Sequence, residues 1–427
     1  MTTSPHTAVT EPLPLDQVDL ANPDNFTDAI TPWRMFHTLR HQDPVHWQPE
    51  PGSNSGFWSV TRHEDIVRVD RDPATFTSTR FVNLEEVDEN QITRRASVLE
   101  MDGLRHRALR GLLQRQFGAG VINGYTEFLR GLTAKTLDTA LAKGRFDFVA
   151  EVSADFPINV LARLLDVPDE DTRQLIDWGN RIIGNTDPEY ADVLLDSAES
   201  EKYRDLPFRS PAALEVFDYG RELARQRRGG NGTDLVSRLV NETPRDGVPL
   251  SPQDFDNYFL LLVVAGNETT RHTITHSMLA LIQHPDQLSR LQHDPSLIPA
   301  AVEEFLRWAC PVYHFRRTAT RDVELGGKQI KEGDKVVMWF ASGNRDEEVF
   351  GNPYDLDVAR RPNDHLTFGK GSPHLCLGNL LARTEIRIMF EELIPRIGRI
   401  RLAGDVPRVR SNFVNGIKKL PVEVTTA

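Results

Sequence analysis

The segment His365-Leu-Thr-Phe-Gly-Lys-Gly-Ser-Pro-His-Leu-Cys-Leu-Gly-Asn379 sets Cys376 at the end of a glycine-rich turn, just ahead of a helical stretch that starts near Leu377. Gly369 and Gly371 let the backbone turn tightly and approach another group closely. A cysteine at the head of a helix has its thiolate stabilised by unpaired N–H groups and by the helix dipole. The arrangement suits a metal ligand or a nucleophile; taken alone, it also suits a small buried hydrophobe in a turn. Phe368, His374 and the glycines around it favour the chemical reading.

The rest of the chain narrows the class. Its 427 residues are 39% hydrophobic and 26% charged, with a formal charge of −12, an ordinary globular composition. Only two cysteines, Cys310 and Cys376, are present, too few for a disulfide framework; this fits a reducing compartment and a cytoplasmic protein. The N-terminal MTTSPHTAVTEPLPL lacks the basic-then-apolar pattern of a signal peptide. The longest apolar run, 258–266, falls far short of the roughly 20 residues that span a bilayer, so no membrane span is expected. A pI near 5.6 argues against general nucleic-acid binding. At about 150 residues per domain the length suggests two or three domains. No linker follows the first 20 residues, whose Pro, Thr and Ser content predicts a disordered tail, and residues 21–427 read as one domain.

Helical periodicity dominates that domain, at 105–117, 124–141, 254–282, 299–308 and 377–397. Ser251-Pro252 reads as the N-cap and first position of the longest helix. Strand patterns are fewer: 57–61, three short strands within 322–340 separated by Gly326-Gly327 and Glu332-Gly333-Asp334, and 421–426. The expected fold is mainly α with a minor β portion, with many residues around one core, as when something sizeable is buried in it.

Two further segments carry chemistry. Ala265-Gly-Asn-Glu-Thr-Thr270 interrupts the long helix; Gly266 costs about 1 kcal/mol there relative to alanine, and two β-branched threonines follow. The Thr269 hydroxyl can take the Ala265 carbonyl, and Glu268 supplies a titratable proton carrier. A polar gap in an otherwise apolar helix breaks every local rule around it, which marks a functional position. The alternative, a solvent-facing polar patch, is weakened by the apolar residues 260–264. Glu304 and Arg307, three apart on the 299–308 helix, share a face, a weak signal by itself.

These three segments, in this order and spacing, resemble the haem-thiolate monooxygenases, the cytochrome P-450 family, of the soluble bacterial type; the resemblance runs from about residue 20 onward. Phe368, Gly369, Gly371, His374, Cys376 and Gly378 match the family's cysteine loop, lengthened by one residue at Ser372-Pro373. The resemblance implies a cytochrome P-450-like single domain around a buried haem b, with Cys376 as axial thiolate. It implies that Glu304 and Arg307 join Arg360, of Leu-Asp-Val-Ala-Arg360, in a structural ion network behind the haem, with Leu356 where phenylalanine is usual. It assigns the propionates to His106 and Arg110, four apart on a helix, and to Arg317 and His374; carboxylates at the edge of an apolar macrocycle need cationic donors. Ala265 and Gly266 would border the haem, and Glu268 and Thr269 would deliver protons to the bound oxygen.

Other features of the chain compete with this reading. His37 with His41, and His272 with His276, are i, i+4 pairs without the glutamate of His-Glu-x-x-His, and chance accounts for them among 13 histidines. Gly369-x-Gly371 lacks the third glycine and the preceding strand of a dinucleotide fingerprint, so electrons must come from another protein. Arg105, Arg107, Arg110 and Arg115 make a local basic patch on an acidic chain, an expected docking face for an acidic ferredoxin-type partner; a solvated helix face is the plain alternative.

Pocket walls in this family fall on residues that are here Phe81, Val82, Leu261, Leu262, Ala265, Val312, Tyr313, His314, Phe413 and Val414. They are mostly apolar or aromatic, which favours a hydrophobic substrate. Tyr313 and His314 are either polar handles or satisfied core residues. The stretches 259–271 and 413–422 look like the bacterial subgroup acting on methyl-branched lipids, terpenoids and steroid side chains. The expectation is a monomeric monooxygenase inserting oxygen into an unactivated C–H bond, using a ferredoxin and ferredoxin reductase. The alternatives are O-demethylation of a small ether, a haem sensor or carrier, for which Glu268 and Thr269 would be superfluous, or a metal-dependent hydrolase built on a histidine pair.

Overall fold

The computed structural model describes residues 9–50 and 55–426. They form two compact units, each assembled from three separated stretches of chain. The first takes the residues up to Glu85, then His272–Cys376 and Gly404–Leu420; the second takes Glu86–Arg271, Leu377–Ala403 and the chain from Pro421 onward.

The first unit is built on a five-stranded sheet in the order β1-β2-β8-β5-β3, with β1 Val45–Pro49, β2 Gly56–Val60, β3 Phe76–Thr77, β5 His314–Ala319 and β8 Lys335–Trp339. Every neighbouring pair is antiparallel except β2 with β8. The expected hairpin forms between β6 Val323–Leu325 and β7 Lys328–Ile330. Its Gly326 and Gly327 have φ of 55° and 75°, the left-handed conformation that a two-residue turn between twisted strands requires. Phe26, Phe36, Phe57 and Trp339 fill the core beneath the sheet. The chain joins this core earlier than composition suggested. Val18 and Leu20 are buried in it and Leu13 and Leu15 pack against it, so apolar residues spaced among prolines outweigh the tail-like composition after about residue 12.

The second unit is mostly helical, with a three-stranded sheet ordered β4-β10-β9: β4 Arg145–Asp147, β9 Ile397–Leu402 and β10 Pro421–Thr426. The long helix, Pro252–Gln283, contributes its residues up to Arg271 here and those from His272 to the first unit. Ser251 and Asp254 open it reciprocally: Ser251 Oγ accepts from Asp254 N and Asp254 Oδ2 accepts from Ser251 N, both at 3.0 Å. The helix expected over 377–397 is shorter, Asn379–Leu393. Pro395 has no N–H to continue the ladder, and after the turn Ile394–Arg396 the chain enters β9. Among the described residues, no helix is long and apolar enough to cross a membrane.

Candidate functional site

The turn that carries Cys376 belongs to the first unit and is gripped by the end of helix His63–Arg71. Gly369 and Gly371 have φ of 76° and 68°. A Cβ on Gly369 would lie 3.1 Å from Asp70 Oδ2, and one on Gly371 would lie 2.6 Å from Arg71 Nε. Asp70 Oδ2 accepts from Lys370 N at 3.2 Å, and Arg71 Nε donates to the Lys370 carbonyl at 3.1 Å. Both glycines are thus required by their left-handed conformation, with Asp70 and Arg71 packed close against them. The extra residue of the loop is absorbed at Ser372, whose Oγ accepts from His374 N at 3.1 Å. Cys376 N donates to the Phe368 carbonyl at 2.9 Å, closing the turn.

The two cysteines separate clearly. Cys310 is fully buried, its thiol pushed up to about 12 by burial, and it donates weakly to the Val312 carbonyl at 3.4 Å. Cys376 is only half-buried.

Asp70 was not legible as a site residue. Besides holding Lys370 N, its Oδ1 takes Arg317 Nη2 at 3.2 Å, so one buried carboxylate ties the cysteine turn to the strand bearing Arg317. The signal that could have found it is an acid at a helix C-terminal end, where the dipole disfavours negative charge. His374 Nε2 reaches Ser78 Oγ at 3.3 Å.

Glu304, Arg307 and Arg360 meet in the same unit. Glu304 receives Arg307 Nη2 and Nε, each at 2.7 Å, and Arg360 Nε at 3.0 Å. Asp357 N at 3.0 Å and Asn363 Nδ2 at 3.1 Å complete its shell. Burial alone would raise the Glu304 carboxyl, but Arg307 and Arg360 hold it below its ordinary value. Arg307 also donates to the carbonyls of Asn344 and Pro353, so the network ties helix Ile298–Ala309 to the loop before Arg360.

Seven of the proposed wall residues gather in the first unit. Val312 bridges Val414, Tyr313 N donates to the Phe413 carbonyl at 2.8 Å, and Arg316 N donates to the Val82 carbonyl at 2.7 Å. Phe81, beside Val82, has φ 83°. Of its two readings, Tyr313 takes the packing one: its ring lies against Phe26 and its hydroxyl donates to Asn415 Oδ1 at 2.9 Å. His314 is buried edge-on to Trp339 and Phe413, neither ring nitrogen has a hydrogen-bond partner among the described residues, and burial pushes its pKa down to about 3. His272 and His276 secure the Asn415–Ile417 turn. His272 Nδ1 accepts from Ile417 N at 3.3 Å, and His276 Nε2 donates to the Asn415 carbonyl at 2.9 Å.

In the second unit, the long helix carries a partly open stripe along one face: Leu261, Ala265, Gly266 and Thr269 are accessible while Leu262, Val263, Val264, Asn267 and Glu268 are buried. Four-residue spacing puts Leu261, Ala265 and Thr269 in line. Thr269 Oγ1 donates to the Ala265 carbonyl at 2.9 Å, the anticipated bond. Glu268 is buried in an ion pair with Arg271 at 2.8 Å, and Asn267 Nδ2 donates to it at 3.2 Å. Arg271 Nη1 in turn donates to Asn180 Oδ1 at 2.9 Å. Gly179 makes room for this cluster, since a Cβ there would sit 3.3 Å from Glu268 Oε1.

A second buried carboxyl, Glu385 on helix Asn379–Leu393, is pushed up to about 8 by burial, with Thr270 as its hydrogen-bonding partner. Nothing in a single sequence distinguishes it from a surface acid. His106 is buried and Arg110 half-buried, one turn apart on helix Gly103–Gln114. The basic patch is narrower than its arginine count: Arg105 is paired with Asp246 at 3.2 Å and Asp254 at 3.0 Å, whereas Arg107 and Arg115 are exposed. Gly378, at the head of helix Asn379–Leu393, has an ordinary φ of −82°, and a Cβ there would meet nothing within 4 Å.

Known proteins share this architecture. The family model for cytochrome P450 matches residues 212–397. The steroid C26-monooxygenase of Rhodococcus jostii (strain RHA1) is 36% identical over 99% of this chain and 88% of its own length. The methyl-branched lipid omega-hydroxylase of Mycobacterium tuberculosis (strain ATCC 25618 / H37Rv) is 36% identical over 91% of this chain and 90% of its own. A Mycobacterium marinum cytochrome P450 solved in complex with pseudoionone superposes with a TM-score of 0.87 at 35% identity, covering 96% of this chain and 99% of that one. With a mainly helical fold, a minor sheet portion and full-length relatives at this identity, the chain belongs to the cytochrome P450 monooxygenases.

Proposed function

We propose that residues 21–427 act as one haem-thiolate monooxygenase domain that hydroxylates an unactivated C–H bond of a hydrophobic small molecule of the terpenoid, branched-lipid or steroid kind. The observation that carries this reading is the half-buried Cys376 on a glycine turn held by Asp70 and Arg71, in a chain whose other cysteine is locked away as a thiol. The remaining donors suit an iron porphyrin. His106, Arg110, Arg317 and His374 offer cationic or hydrogen-bonding groups for two propionates, and Ala265 and Gly266 give a helix face without bulk. When bound, a thiolate-ligated haem supplies the activation of O2.

The chain's own residues divide the remaining work. The Thr269 hydroxyl donates to the Ala265 carbonyl, so its role on the accessible side of the helix is that of a hydrogen-bond acceptor. Glu268 is the proton carrier, and its pairing with Arg271 makes delivery conditional: the carboxylate leaves Arg271 before it serves Thr269. Leu261 on the long helix and, within the first unit, Val312 and Phe413 are the accessible apolar wall residues that suit a hydrophobic substrate, while Leu262 and Val414 are buried. The two relatives are named for oxidation at a defined carbon, C26 or omega, which supports attack on a methyl-branched chain in this protein too. Exposed Arg107 and Arg115 support docking of an acidic ferredoxin-type donor, with reduction slowing as salt rises.

A single spectrum tests the central claim. The purified holoprotein, reduced and exposed to carbon monoxide, is expected to show the strongly red-shifted Soret band of thiolate ligation, and Cys376→Ser to lose it. An imidazole-type band from the natively folded parent sinks the assignment.

A further inference from the structure

His37 and His41, set aside on sequence grounds, are joined in space by a third metal-binding group. Both lie on helix Thr31–Gln42, their rings 4.2 Å apart between centroids. Glu347, more than 300 positions away in the chain, comes to the same face, and His37, His41 and Glu347 each offer one donor atom, all within 4.8 Å of one another. His37 Nδ1 and Glu347 Oε1 are 3.3 Å apart, the separation of two donors sharing one tetrahedral ion at bonds of about 2.0–2.1 Å. His41 Nδ1 donates to the His37 carbonyl at 2.9 Å, which places its proton there and leaves the Nε2 lone pair free to ligate. Metal-bound histidines are oriented in this way, through a backbone carbonyl on the other nitrogen.

The carboxylate is oriented as well. Arg40 Nε donates to Glu347 Oε2 at 3.0 Å, and Arg40 Nη2, now shared between Oε1 at 3.0 Å and Tyr354 Oη at 2.6 Å, can keep the tyrosine when Oε1 turns to an ion. The cluster is half-buried to exposed, so an ion reaches it from solvent. The other i, i+4 pair offers a contrast: His272 and His276 are buried, and among the described residues no third donor joins them in a cluster.

We propose that His37, His41 and Glu347 form a binding site for a borderline first-row dication of the zinc class, remote in the chain from the cysteine turn and independent of the monooxygenase reading. Two imidazoles and one carboxylate make the nitrogen–oxygen donor set that zinc takes, with water completing the tetrahedron. On binding, the ion replaces the His37 Nδ1 proton, which moves to Nε2 of the same ring. The ion then links helix Thr31–Gln42 to the loop after Phe340–Gly343.

The test is isothermal titration of ZnCl2 into the haem-loaded full chain, with any affinity tag removed, alongside His41→Ala and His37→Ala/His41→Ala. His41 is exposed, so its removal does not endanger folding. Expected is uptake of one zinc ion in the micromolar range and a rise in melting temperature with zinc. The single variant should bind at least tenfold more weakly, and the double variant should lose both effects. Binding by the double variant equal to the parent's, or no one-to-one uptake by the parent, overturns the proposal.

Discussion

Replacing Glu304 with glutamine changes one atom type at a fully buried position and removes the negative charge that pairs with both Arg307 and Arg360. In the parent, each carboxylate oxygen serves at least two donors. A glutamine offers one acceptor and turns an NH2 group toward guanidinium N–H groups, leaving Arg307 as an uncompensated buried charge. Breaking a buried pair in this way costs about 3–5 kcal/mol. Unfolding entropy of about 2.1 cal/mol/K per residue gives roughly 0.4 kcal/mol/K for a unit of roughly 200 residues, so the melting temperature should fall by roughly 7–12 °C if the first unit melts by itself. If all 427 residues melt together, the fall is about 3–6 °C. Differential scanning calorimetry of the haem-loaded protein at neutral pH measures it. Glu304→Gln/Arg307→Met, which removes both charges, should recover part of the loss, since an apolar replacement of a buried pair is often neutral. A melting temperature for Glu304→Gln within about 1 °C of the parent refutes the view that the network holds helix Ile298–Ala309 in place.

Thr269→Ala should go on consuming reductant while releasing hydrogen peroxide in place of hydroxylated product, measured as the ratio of product formed to reductant oxidised; unchanged coupling would remove Thr269 from the proton route. Glu385 predicts a distinctive pH profile. Its carboxyl is raised from 4.5 to about 8, so the folded chain keeps a proton that the unfolded chain releases. Stability of the parent should therefore decline relative to Glu385→Gln as pH rises from about 4.5 toward about 8, and the gap should stay constant above that. Parallel denaturation profiles for the two proteins across this window would show that Glu385 is not held neutral.

What could be read from the sequence was whatever short-range physics encodes. Helix Pro252–Gln283 announces itself through Ser251-Pro252 and its apolar spacing, and the β6–β7 hairpin through two adjacent glycines. The Thr269–Ala265 bond follows from four-residue spacing alone, and the glycines of the cysteine turn from their φ requirement. The helix expected over 377–397 stops at Leu393 because the chain turns at Ile394–Arg396, where Pro395 lacks an N–H, and pairing of Ile397–Leu402 with Pro421–Thr426 fixes the strand that follows.

Tertiary structure decided everything that depends on which distant groups become neighbours. Asp70 clamps the cysteine turn and Arg317 from some 300 and 250 positions away in the chain, Glu347 completes a donor set with two histidines dismissed as coincidence, and Asn415 receives Tyr313. Burial, which turns an ordinary acid such as Glu385 into a neutral one and keeps Cys310 a thiol, is likewise a property of the packed chain. Caps, turns and periodicity act within a few residues of backbone, and a sequence states them directly. Desolvation and charge pairing act through space, where chain distance carries no information.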